Sequence, residues 1–195
     1  MENMRLSRAA FLTSLISILY ITAFAVMYCV LMPIQVAVAS EYVAFAQVTS
    51  LVILPHGVRV VATWLFRHEA IVFLFPGATV EAAVLAEHFS LGAGDLVLLI
   101  LSFTTSSFIA FEGLRALGWY AYAHGAYAPS WRLVMTAGGL ASLVSMLAFA
   151  QVDFGFATSD FSLWLAANVI IGGLTGLVAW LLLLRFGLRV FVRTL

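Results

Sequence analysis

The sequence predicts an all-α, polytopic membrane bundle of six transmembrane helices, and three observations carry that expectation. Hydrophobic residues make up 64% of the chain and charged residues 9%, whereas soluble domains average near half apolar and a quarter charged. The apolar residues fall into runs close to the ~20 residues that a bilayer core requires. The charges sort with those runs. With the N-terminus in the cytoplasm, Arg5, Arg8, Arg67, Arg115, Arg132, Arg185, Arg189 and Arg193 fall on the cytoplasmic side, and Glu41, Glu87, Asp95, Asp153 and Asp160 on the other. This is the arginine bias of the positive-inside rule. Both termini are then cytoplasmic, and residues 1–195 form a single integral membrane domain.

The first run, Ala9 to Met32, follows Arg5 and Arg8 and is too long for a signal-peptide core of roughly 7 to 15 residues. It reads as a retained anchor, although a cleavage-like Ala37-Val38-Ala39 follows it. The second span starts between Tyr42 and Ala46 and reaches Phe66, with a break at Pro55 and Gly57. The third runs from Glu69 to about Ala86, with its own break at Pro76 and Gly77. Proline removes a helical donor and frees a carbonyl, so each break needs a partner inside the protein. The fourth span opens at Asp95 and ends near Gly118. An aromatic loop with Trp119, Tyr120, Tyr122, His124 and Tyr127 follows it, as expected of an interfacial belt. Trp131 and Arg132 open the fifth span, which ends near Gln151, and the sixth covers Phe161 to Leu184.

Composition also excludes functions. All nine basic residues are arginine and nine acids balance them, leaving no basic surface for nucleic acid. Arginine used without lysine points to a GC-rich bacterial genome and hence to the inner (cytoplasmic) membrane. The single cysteine, Cys29, excludes an internal disulfide and reads as a small buried hydrophobe. No Gly-x-Ser-x-Gly elbow, HExxH or phosphate loop occurs. Only His56 among the histidines is deep in a span, which argues against paired haem ligands. The protein is therefore expected to be no enzyme, with no metal and no cofactor.

The polar residues inside the spans locate the candidate ligand site. At 1.5 Å per residue, Arg59 lies ~12 Å, His56 ~16 Å and Glu81 ~20 Å from the turn at Arg67. His56 and Arg59 share a face of the second helix. Glu81 on the third is the natural counter-charge, because a lone charge at this depth costs at least ~2.5 to 3.5 kcal/mol. Glu112 is a second candidate partner, one turn from Arg115. Asn168 lies ~10 Å from the outer end of the sixth helix and can join the same pocket. Gly172 and Gly176 form a GxxxG on that helix, and Ala137 and Ala141 a matching stripe on the fifth, as helix packing in lipid requires. Each residue also has a plain structural reading. Arg59 can snorkel to the headgroups, Glu112 and Arg115 can form an interfacial pair, and His56 can cap a carbonyl freed at Pro55.

The stretch ILPHGVRVVATWLF, followed by a tight turn and IVFLFPG, is similar to the signature region of MASE1-type membrane sensor segments. LWLAANVIIGGLTGLVAWLLLLRFGLR resembles that family's late glycine-bearing helix. Pro55 and Gly57 correspond to the family's proline and glycine, whereas His56 and Arg59 match no residue of assigned function there. This sequence has fewer helices than the family pattern. The resemblance implies a bacterial sensory module joined to a histidine kinase or cyclic-dinucleotide enzyme. No output domain follows Leu195, so the output is expected in a separate partner protein.

The leading expectation is a non-enzymatic membrane sensor or ligand-binding module, whose partners are the lipid bilayer, a separate membrane or signalling subunit and a small-molecule ligand. A substrate-capturing or permease subunit for small-solute uptake, and a structural subunit of a membrane complex, are the alternatives.

Overall fold

A computed structural model describes residues 2–39, 50–123, 131–152 and 169–185. Every described element is helical: α1 (Glu2–Val26), a π-helical turn (Met27–Leu31), α2 (Met32–Ala39), α3 (Leu54–Phe66), α4 (Glu69–Phe89), α5 (Ala93–Ala116), α6 (Trp131–Phe149) and α7 (Val169–Arg185). Four stretches are long and apolar enough to cross a membrane, namely Ser7–Val38, Glu69–Phe89, Ala93–Ala116 and Trp131–Phe149. These correspond to the first, third, fourth and fifth predicted spans. The second and sixth are met in part, by α3 and α7, since residues 40–49 and 153–168 lie outside the described residues.

Burial in α1 follows the helical repeat. Ile16, Ser17, Tyr20, Ala23, Phe24 and Met27 face inward, while Phe11, Leu15 and Ile18 stand exposed. An outward face of large hydrophobic residues suits lipid. Cys29 is exposed on this helix rather than buried as predicted, because the π turn adds a residue to the helical repeat and changes which side chains point inward.

The two prolines behave differently from the prediction. Pro55 interrupts nothing within α3; it occupies the first turn of that helix, where its missing N–H has no intrahelical partner to lose. The chain before it, residues 50–53, is non-helical. α3 has 13 residues and a length of ~20 Å, short of the ~30 Å hydrocarbon core. It is a half-helix. Pro76 and Gly77, in contrast, do not break α4, which is continuous from Glu69 to Phe89. Ser17 of α1 supplies a hydroxyl to the Phe73 carbonyl at 3.1 Å, just before the proline, and side-chain bonds of this kind make an intrahelical proline tolerable in lipid. Gly77 has a packing role: a Cβ there would stand 2.9 Å from Tyr20 Cβ, so α1 and α4 can meet at this level only over glycine.

Non-helical backbone at membrane depth must have all its polar groups satisfied by protein. For residues 51–54 the partners can be named. Leu51 N–H donates to Gln35 Oε1 (2.7 Å) and Ile53 N–H to the Gly172 carbonyl (2.8 Å). The Leu51 carbonyl accepts from Thr175 Oγ1 (2.5 Å), and the Leu54 carbonyl from the Trp180 indole N–H (3.0 Å). Ser50 Oγ serves Val52 locally. Gly172 and Gly176 are the reason that this strand of backbone fits. A Cβ on Gly172 would lie 2.5 Å from the Ser50 carbonyl, and one on Gly176 would overlap the Ile53 carbonyl. The predicted packing stripe therefore receives an unwound segment and not the flank of a second helix. Ala137 and Ala141 are fully buried on α6 in a cluster with Val60, Phe111 and Leu177.

The α3–α4 connection is a tight turn in which Arg67 has φ 55°, a left-handed conformation that side-chain-bearing residues adopt at a cost. It is held by Arg67 N–H to the Thr63 carbonyl at 2.8 Å and by the Arg67 guanidinium over the Tyr122 ring, 4.9 Å from its centroid.

Candidate ligand site in the bundle interior

Between the helices lies a cavity of about 570 Å³, within the range of small-molecule sites. It runs from the middle of the bundle toward the end where α2 and α4 finish, and His56, Arg59, Glu81 and Ser145 supply polar groups to it. Most of the wall is apolar, contributed by residues such as Met27, Val36, Leu85, Phe89, Phe103 and Phe149.

α3 places His56 and Arg59 three residues apart on its inner face, and both are buried. His56 Nε2 donates to the Gly138 carbonyl at 3.1 Å and lies 3.2 Å from Ser142 Oγ. Its partners belong to α6, so it does not cap a carbonyl freed at Pro55. Gly173 makes room for this arrangement, since any side chain there would overlap Ser142 Oγ and approach His56 to 3.2 Å.

Arg59 is 3% exposed and does not snorkel to the surface. Its guanidinium lies over the Phe103 ring at 4.9 Å, a cation–π contact. Nε and Nη1 are buried and make no hydrogen bond. The predicted pairing with Glu81 is not formed: the one ion pair among the described residues is Arg115–Glu112, at 2.9 Å. Glu81, also 3% exposed, instead accepts from the Tyr20 hydroxyl. Gly77 explains why, because it draws Tyr20 against α4 one turn before Glu81. The carboxylate is thereby held on the α1 side of the cavity, while Arg59 reaches in from α3.

Glu112 is neither a partner of Arg59 nor part of the cavity wall. It accepts from Arg115 (2.9 Å) and from the Tyr122 hydroxyl (2.8 Å), forming the interfacial cluster that was its plainer reading. Burial, and then the bond to Glu112, hold the Tyr122 phenol above its ordinary pKa. Asn168 lies outside the described residues, as do His124, Tyr127, Asp153 and Asp160. Its neighbour Val169 does line the cavity. Among the described residues no cluster of three His, Cys, Asp or Glu could hold a metal.

Several contributors were not singled out from sequence. Tyr20 and Ser17 lie three residues apart on the first span, whose other polar residues include Thr13, Ser14, Thr22 and Tyr28, so position on the helix and not polarity alone sets them apart. Tyr28, on the π turn, lines the cavity, and its hydroxyl lies 3.4 Å from His88 Nδ1 near the mouth. A set of buried hydroxyls (Thr63, Ser102, Ser106, Ser107 and Ser145) has no hydrogen-bond partner. In contrast, Thr13, Thr79, Thr105 and Thr136 each bond back to their own helix.

No protein-family model matches the chain, and comparison with curated proteins and with solved structures returns no match. The similarity to MASE1-type segments thus rests on the residues quoted for it.

Proposed function

We propose that this protein is a non-enzymatic ligand-binding module of the bacterial inner membrane, with six spans and both ends in the cytoplasm, that reports occupancy of its interior cavity to a separate partner protein. The observation that carries this reading is Arg59: a buried guanidinium with two unbonded nitrogens, Nε and Nη1, lining a largely apolar cavity. A charge so placed is costly unless it is used. Ser50, Ile53 and His56 also line the cavity, so an occupant would press on the non-helical segment seated against α7. Displacing that segment is how occupancy would change the bundle's outer surface. MASE1-like sensing accords with this reading.

The test is native mass spectrometry of the gently solubilised protein beside a Val36→Trp variant that obstructs the cavity. The expected result is a retained small molecule in the wild type that is absent from the variant, with a partner subunit bound to both. The same spectrum for both forms, free of any small molecule, would overturn the reading and leave a structural subunit.

A second reading, a permease subunit, is favoured by the unbonded hydroxyls of Thr63, Ser102, Ser106 and Ser107, which place polar groups in the bundle beyond the cavity lining. Solute uptake into proteoliposomes that is lost in a Ser106→Val/Ser107→Val double variant would support it over sensing.

A further inference from the structure

Resting on the ligand-binding reading, the geometry points to a ligand class: we infer that the cavity takes a monocarboxylic acid with an apolar body, its carboxylate bound by Arg59. Five observations converge on this. Arg59 is the cationic group in the wall that lacks a hydrogen-bonding partner, and a carboxylate is the acceptor that a guanidinium engages with two parallel bonds. The 13-residue half-helix α3 begins on the same cavity, with Ile53 and His56 in its wall, about 8 Å along the helix from Arg59. Its positive dipole end therefore adds to the attraction for an anion.

Glu81 sets the charge of the guest. Its carboxylate already accepts from Tyr20, so it has less need of a cationic ligand than Arg59 has of an anionic one. Its presence in the same wall disfavours a dianion such as a phosphate monoester, by like-charge repulsion at low dielectric. One negative charge is the complement of one free guanidinium beside one satisfied carboxylate. The apolar body follows from the remaining wall, where Met27, Val36, Leu85, Phe89 and Phe149 line the route to the mouth. From Glu81 to His88 is two turns of α4, or ~10 Å, which sets the length of that body. Ser145, whose hydroxyl is unbonded, is a second donor in the wall.

The experiment is equilibrium dialysis of radiolabelled octanoate against the full-length protein in nanodiscs, with empty nanodiscs as reference. Competition by 1-octanol and by octyltrimethylammonium tests the head group with one chain length. The inference expects saturable octanoate binding, with both competitors at least about tenfold weaker. Arg59→Gln should weaken octanoate by about tenfold to a hundredfold, the usual size of a charged hydrogen-bond loss. Arg59→Lys should recover part of that, and Glu81→Gln should bind at least as tightly as wild type. Equal competition by 1-octanol, or stronger competition by the ammonium, would overturn the carboxylate assignment while leaving the ligand-binding reading in place. No saturable binding of any of the three to wild type would overturn both. The head-group series uses unaltered protein, so a variant that fails to fold does not remove the test.

Discussion

Two arginine–glutamate sets in this bundle have the same chemistry and opposite fates. At the end of α5, Arg115 and Glu112 meet at 2.9 Å, partly exposed, with Tyr122 completing the cluster. In the interior, Arg59 and Glu81 are each 3% exposed and bound to different neighbours, Phe103 and Tyr20. The exposed set is a local product of i, i+3 spacing on one helix and needs no tertiary structure to form. The interior set is arranged by packing that gives each charge a different direct neighbour: Gly77 admits Tyr20 to Glu81, and the Phe103 ring lies under Arg59. The pairing forms where it is local to one helix, and is absent where packing gives each charge another neighbour.

The packing that seats the non-helical segment beside the interior charges should prove the most sensitive to substitution. Gly176→Leu would drive a side chain into the Ile53 carbonyl, and a loss of about 3 kcal/mol or more is expected. Gly113, with open space around it, is the control, and Gly113→Ala should be neutral or stabilising by up to about 1 kcal/mol. Thermal unfolding in one detergent compares the two, and similar losses would refute the docking role of the glycine stripe.

The interior arginine comes next. Arg59→Met removes a buried charge and should raise stability by about 2 kcal/mol, while abolishing ligand retention in native mass spectrometry. Loss of stability together with loss of ligand would mean that Arg59 holds the helices together.

Tyr122 gives a smaller effect with a definite sign. Its phenol is held above the ordinary value by burial first and by Glu112 second. Folding therefore favours the neutral phenol. Its contribution is fully present below the unfolded value near 10 and is lost as pH rises through the folded value. The melting temperature of wild type should fall above about pH 10, and that of Tyr122→Phe, whose stability is already lower by about 1 kcal/mol at neutral pH, should fall less. Parallel curves would exclude Tyr122 as the titrating group. Smallest of all, Arg115→Met should cost less than about 1 kcal/mol and lose its effect in high salt, since the exposed pair is screened.

Sequence made some of this legible and hid the rest for physical reasons. Helix positions followed from apolar run length, so the predicted starts at Glu69 and Trp131 coincide with those observed, and the predicted end near Gly118 lies two residues beyond the observed Ala116. His56, Arg59 and Glu81 were identifiable because lipid makes any ionisable residue in a span conspicuous. Their partners were not. The charge rule that joined Arg59 to Glu81 takes no account of Tyr20, whose approach depends on Gly77 one turn away on another helix. The prolines misled in a related way. Each Pro/Gly pair reads alike in one dimension, but Ser17 steadies the backbone near Pro76 from a distant segment, whereas Pro55 lies in the first turn of α3 and residues 50–53 directly before that helix are non-helical. The glycines of α7 were read as a packing surface, and what packs there is unwound backbone that no periodicity announces.

The bonds that hold that backbone carry a consequence for how the protein is made. Thr175 and Trp180 reach back 124 and 126 positions to Leu51 and Leu54. During synthesis, residues 51–54 leave the ribosome long before the groups that will satisfy them exist. Until α7 has been inserted, the segment must borrow water or the insertion machinery for its hydrogen bonds. The cavity, whose wall includes Ser50, Ile53 and Val169, is therefore assembled last, and a ribosome-bound chain stalled before residue 169 should contain the interior charges yet hold no ligand.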